Sequence, residues 1–189
     1  MGQVRRVVTG HDGNGKAIVI SDSAAPIHSN PLRPGQLSHE IWKTSAMPIP
    51  IGKDEPDPVS GPRQLHPPRL GTMFRISEVP PESDAIRNMT PEQARAAFRA
   101  SGAEAASTWG RGGRHPLMHR TETVDYAVVL AGEITLILDE GEVNLKAGDV
   151  VIQRGTNHAW SNRSGKVTKM LYVLIDGRFD PGLAAQFQK

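Results

Sequence analysis

From Pro116 to Asp176 the chain never runs far without a turn. Short apolar segments are interrupted by Ala131-Gly132, Asp139-Glu140-Gly141, Ala147-Gly148, Gly155-Thr156 and Ser164-Gly165. The intervals suit strands of a few residues, and closely spaced short strands between turn signals indicate a sandwich or a barrel. Predicted strands cover 116–121, 125–130, 133–138, 142–145, 149–153, 157–161 and 167–175. Val128-Val129-Leu130, Leu136-Ile137-Leu138 and the run from Met170 to Ile175 are apolar on successive residues, hence on both strand faces. Both faces must then be covered. One would line an interior, and the N-terminal strands, a helix or a second subunit would cover the other.

Upstream of this block, residues 3–10 and 17–21 read as strands, and His11 to Lys16 as the turn of a hairpin. Residues 37–45 alternate imperfectly and form a weaker strand candidate. Seven prolines lie between 47 and 68, which excludes regular helix or a central strand there. That segment is either a surface loop or an arm that wraps the barrel or a partner subunit. Residues 71–79 return to alternation, with Met73, Arg75 and Ser77 on one side. Thr90-Pro91-Glu92-Gln93 is a helix start, with Thr to cap, Pro in the first turn and Gln to complete a capping box. The helix should run to about Ala100 and pack as a short cover. Thr108 to Arg114 reads as a flexible loop in preference to an RNA-binding repeat.

Composition excludes several classes. No cysteine is present, so disulfides and thiolate metal sites are ruled out and a reducing cytoplasm is the default expectation. No apolar run approaches the roughly 20 residues of a membrane helix. The Met1-Gly2 start has no apolar signal core behind it, and Arg6 stands where a myristoylation site needs Ser or Thr. A net charge of +2 gives no reason to expect a nucleic-acid partner.

Two polar clusters stand out in the β-rich block. On strand parity His115, His119 and Thr121 share a face, Asp125 joins them across a short turn, and His158 shares a face with Trp160. Tyr126 and Arg120 have the opposite parity and should point away. Inward-facing His and Asp among Val, Ile and Leu are costly unless they serve a purpose.

Gly113, five residues, His119, Arg120, Thr121, three residues, Asp125, six residues and Gly132 resemble the first motif of the cupin superfamily. Gly148, then Gln153 to His158, closed by Asn162, resemble the second, one residue short between Gly148 and Gln153. The resemblance, to small single-barrel cupins of the cupin 2 conserved-barrel type, covers about 71–176. It implies an all-β double-stranded β-helix or jelly-roll barrel with extra N-terminal strands and one short helix. Residues 1–70 would be those strands and the arm, and 71–189 the barrel. Motif positions carry over as His119, Thr121, Asp125 and His158, with Thr in place of a second His and Asp in place of Glu. The set His119, Asp125 and His158 could hold one divalent transition metal, Fe, Mn, Zn or Ni. Alternatively, with no metal, it is an acid–base set with Asp125 orienting a His. His115, Thr121 and Trp160 would contact substrate. Asn162 reads as a turn former.

The expected function is a small-molecule enzyme of lyase, decarboxylase or isomerase type. The alternatives are a non-haem Fe(II) dioxygenase and a non-catalytic ligand-binding cupin. A homodimer is expected from the resemblance and the two-faced strands.

Overall fold

A computed structural model describes residues 3–187. Met1 and Gly2, on which the N-terminal reading partly rests, lie outside them. The chain opens with the expected hairpin, β1 (Arg5–His11) against β2 (Ala17–Ala24). Its turn is held by the Asp12 carboxylate, which accepts from the backbone N–H groups of Asn14 and Lys16. A short strand that was not expected, β3 (Ile27–Ser29), leads to β4 (Leu37–Lys43). The Pro-rich stretch then runs to β5 (Thr72–Val79) with turns and no regular element. Within it Val59 and Leu65 are buried, Asp57 pairs with Arg6 of β1, and the Gln64 carbonyl accepts from Arg75 of β5.

Helices α1 (Asp84–Arg87) and α2 (Pro91–Ala100) follow. The capping box forms as predicted, Gln93 N–H donating to Thr90 Oγ1 and Thr90 N–H to Gln93 Oε1. The helix is more than a cover. Ala94 and Phe98 are completely buried, and Phe98 joins Leu32, Leu65, Ile86, Ala103, Ala106 and Leu117 in a cluster that closes one end of the barrel.

The barrel strands are β6 (Thr123–Ala131), β7 (Glu133–Leu138), β8 (Glu142–Lys146), β9 (Val150–Arg154), β10 (His158–Ser161) and β11 (Thr168–Asp176), and helix α3 (Pro181–Gln186) ends the described chain. One antiparallel sheet has the order β3-β4-β5-β11-β6-β9, and the other β10-β7-β8. Between them pack Val79, Ala127, Val129, Ile134, Leu136, Leu145 and Met170. Burial along β5 and β6 alternates strictly, which assigns Met73, Arg75, Ser77 and Val79, with Thr123, Asp125, Ala127 and Val129, to the inner face. Gly132 makes the β6–β7 turn at φ 81°, and a Cβ there would press on Thr168. The architecture is the all-β barrel expected, with two further short α-helices and a 3₁₀ turn at Glu104–Ala106 among the described residues.

One strand expectation fails. Residues 116–121 form no strand. His119 makes only isolated bridges, to Ser107 and to His158. Pro116 and the turn bonding Met118 N–H to His115 C=O prevent extended pairing before that point.

Candidate functional site

His119 and His158 are brought together by two backbone hydrogen bonds. Each residue's N–H donates to the other's carbonyl at 2.9 Å. This pairing joins the loop before β6 to the first residue of β10 and sets the two rings 4.4 Å apart between centroids. Each ring is then fixed from the rear. His119 Nδ1 lies 2.9 Å from the Leu117 carbonyl, and His158 Nδ1 lies 3.0 Å from that of Thr156. A carbonyl only accepts, so both Nδ1 atoms carry the proton and both Nε2 atoms keep a lone pair. Burial disfavours the cationic forms. It lowers His119 to about 3, with the neighbouring His158 adding to the effect, and His158 to about 4.

Both imidazoles line a cavity of about 100 Å³ inside the barrel. Asp125 reaches the same cavity from the inner face of β6, and its buried Oδ1 has no hydrogen-bond partner. Burial pushes its carboxyl up to about 6, against the pull of the Thr123 hydroxyl and the Arg75 charge. Trp160 forms another part of the wall, with its ring edge-on to both His158 and Tyr172. Phe98 of α2 closes it, 5.4 Å from the His119 ring.

Two expected site residues are elsewhere. Thr121 follows His119 without a strand between them, so the parity argument does not hold. Its hydroxyl bonds Thr123 at 2.7 Å and lines a separate open groove with Arg120, Phe179 and Phe187. His115 also misses the cavity. Its Nδ1 accepts from Leu117 N–H, and its Nε2 meets Glu82 at 2.8 Å, where Ser161 also donates. It fastens the loop to the segment ahead of α1. Tyr126 faces outward as its parity requires, and Arg120 packs its guanidinium over the Phe187 ring. Asn162 is fully buried and ties its turn to Val79, Ser164 and Lys166.

Sequence reasoning missed four contributors. Arg33, Arg63, Arg75 and Tyr172 all line the cavity. Strand parity could have found two of them: Arg75 sits on the inner face of β5, and Tyr172 is its register partner on β11. Arg33 and Arg63 come from irregular chain, where no periodicity tells which way a side chain points.

The donor set does not fit a resident transition metal. Such sites take three or more protein ligands. Among the described residues no group of three or more His, Asp or Glu gathers in that way. The Thr121 hydroxyl, at the position of the first motif's second His, is turned to Thr123. His119 and His158 offer two nitrogens and no third donor beside them.

Comparison with known proteins gives four findings. Residues 108–174 match the cupin domain family. Phomopsin biosynthesis cluster protein D of Diaporthe leptostromiformis is 54% identical over 70 residues, which cover 36% of this chain and 37% of that protein. The match therefore spans little more than a third of that relative's length. The cupin-domain-containing oxidoreductase fogC of Aspergillus ruber is 27% identical over 183 residues, covering 93% of this chain and 74% of the relative. Among solved structures, the cupin domain of Schizosaccharomyces pombe Cnp3 superposes with a TM-score of 0.43 at 10% identity, covering 97% of this chain and 93% of that one.

Proposed function

We propose that this chain, whose residues 108–174 match the cupin domain family, is an enzyme moving a proton on a small molecule held in the barrel cavity. The observation that carries this reading is the unpartnered Asp125 Oδ1, buried in the same cavity as two imidazoles of fixed tautomer. A general base works best with a pKa near the working pH. Asp125, at about 6, meets that condition, whereas the two histidines stay neutral. Asp125 Oδ1 takes a proton from a carbon beside a carbonyl and returns it to the same or a neighbouring carbon. The Nε2 lone pairs of His119 and His158 accept hydrogen bonds from substrate hydroxyls and orient the reacting carbon. Trp160 and Phe98 keep the site dry. This is lyase or isomerase chemistry.

The test is solvent-deuterium incorporation into a panel of small keto and hydroxy compounds. Wild-type protein should catalyse exchange into at least one of them, and Asp125→Asn should lower that rate by about 10²-fold or more. Equal exchange by both proteins would contradict the assignment of Asp125.

The printed name of the Aspergillus ruber relative favours a second reading, oxidoreductase chemistry. It requires a redox group, and among the described residues His119, His158 and Asp125 do not gather as a three-ligand metal group. A non-catalytic ligand binder separates from both readings through His158→Ala, which would leave such a protein without any turnover to lose.

We also infer a homodimer. On the outer face of the large sheet, Phe74, Val173, Tyr126 and Ile152 form one cross-strand row, and Ile76, Leu171, Val128 and Val150 the next. Tyr126, Val150 and Ile152 are exposed. A contiguous apolar face of this kind suits a self-complementary contact. Light scattering at micromolar concentration should give twice the chain mass, and a monomer there would contradict the inference.

A further inference from the structure

The cavity holds more positive charge than its acid–base chemistry uses. Arg33, Arg63 and Arg75 all line it. Arg33 and Arg75 are almost completely buried, and Arg63 is half-buried. Arg75 has a carboxylate nearby, Glu40 at 3.5 Å, and donates to the Gln64 carbonyl. Arg33 donates to the Trp160 carbonyl, and Arg63 to the Ser38 hydroxyl. Among the described residues neither of these two forms an ion pair with a carboxylate. Each of the three keeps a buried guanidinium nitrogen without a partner: Arg33 Nη1, Arg63 Nη1 and Arg75 Nε.

A buried cation with free donors is costly unless an anion meets it. The fold sets Glu40, Asp125 and Glu82 near the three arginines, and Glu82 is already bonded to His115 and Ser161. Planar guanidinium donors suit a carboxylate, which can accept two parallel bonds from one side chain. The size of the cavity limits the rest of the molecule. At about 100 Å³ it is of the order of the roughly 150 Å³ cavity that admits benzene, so the body is a single ring or a short chain. Its other walls, Leu32, Leu65, Leu117, Leu174 and Trp160, are largely apolar.

We propose that the substrate is a compact carboxylic acid whose carboxylate is bound by Arg33 and Arg63, with Arg75 behind them, and whose reacting carbon lies toward Asp125 and the histidine pair. The proposal rests on the reading of the cavity as the reaction site. It goes beyond that reading by fixing the substrate's charge and assigning its recognition to the N-terminal segments instead of the matched domain. Arg33 and Arg63 contact substrate in this account and are binding residues.

The test uses protein labelled with nitrogen-15 at histidine, titrated with two pairs of probes, benzoate against benzamide and propionate against propionamide. In each pair the acid and the amide have nearly the same shape. At least one acid should shift the His119 and His158 ring signals saturably, with an affinity at least tenfold tighter than its amide. Arg63→Met and Arg33→Met should each remove that preference, while circular dichroism confirms that the variants are folded. If acid and amide shift the histidine signals with equal affinity, the cavity is a binding site and carboxylate selection is overturned. If no probe shifts them, the cavity is not a site for compact ligands, and both this proposal and the reading beneath it fail. The wild-type comparison decides the matter even where an arginine variant does not fold.

Discussion

The cavity has two walls of different origin. One is made by His119, Asp125 and His158, which lie within the stretch matching the cupin domain and are held by strand register and backbone bonds. The other is made by Arg33, Arg63 and Arg75, which lie outside that stretch, two of them on irregular chain. The first wall offers lone pairs and one carboxylate. The second offers buried cations, each with a guanidinium nitrogen that has no partner. The walls are complementary: an anion bound at the arginines brings negative charge close to two imidazoles that burial keeps neutral, and would make a proton on either easier to hold. The matched domain thus accounts for the chemistry proposed here, and the segments ahead of it for the choice of molecule.

The comparison breaks most readily at the level of turnover. His158→Ala should lower kcat by about 10²-fold or more, whereas Arg63→Met should raise KM by about 10- to 100-fold with kcat little changed, the range of one charge-assisted hydrogen bond. Steady-state kinetics on one substrate separates the two. If both variants lost kcat equally, the walls would not have separate roles.

Phe98 connects the walls, packing against Leu32 and Leu65 on one side and the His119 ring on the other. It is fully buried, so Phe98→Ala should destabilise the fold by about 3–5 kcal/mol in urea unfolding. A cost below about 1 kcal/mol would mean that the helix is not part of the core.

The histidine wall should also give a pH signature that the arginine wall lacks. In the unfolded chain both histidines take up a proton near 6.5. In the fold they do so only near 3 and 4. Between these values the unfolded state binds more protons, so stability falls as the pH is lowered from 6.5, by up to about 1.4 kcal/mol per unit for each histidine. Asp125 acts in the opposite sense. Its carboxyl is raised from 3.8 to about 6, so its contribution is present below about 4 and lost as pH rises through 6. Two histidines outweigh one aspartate, and the net slope is acid destabilisation. His158→Gln should reduce that slope, and Arg63→Met should reduce it much less, because the Arg63 charge is the smallest of the influences that hold His119 down. An unchanged slope in His158→Gln would contradict the burial of that ring.

The smallest effect concerns the outer face. Tyr126→Lys with Ile152→Lys should shift the dimer toward monomer in sedimentation while leaving both cavity walls as they are, and unchanged ligand binding in that variant checks the second part.

Much of this was legible in the chain. The turn residues marked β7, β8, β9 and β10 because glycine or a polar turn residue ends each of them, and the Thr90 capping box located α2. Asp125 and Tyr126 took the faces that period-2 alternation requires. Thr121 did not, because alternation holds only inside a strand, and the chain around Pro116 and His119 is too constrained to be one. His115 was misplaced for the same reason. The arginine wall was harder to see. Arg75 could be read from the inner face of β5, but Arg33 lies in the loop between β3 and β4 and Arg63 in the Pro-rich stretch, and irregular chain has no period for a sequence to offer.

The central claim is that His119 and His158 are both neutral and both present an Nε2 lone pair to the cavity. Long-range proton–nitrogen correlation spectra of the histidine rings at neutral pH measure this directly. The account predicts that both rings carry their single proton on Nδ1. A proton on Nε2 of either ring, or a cationic ring at that pH, would contradict it.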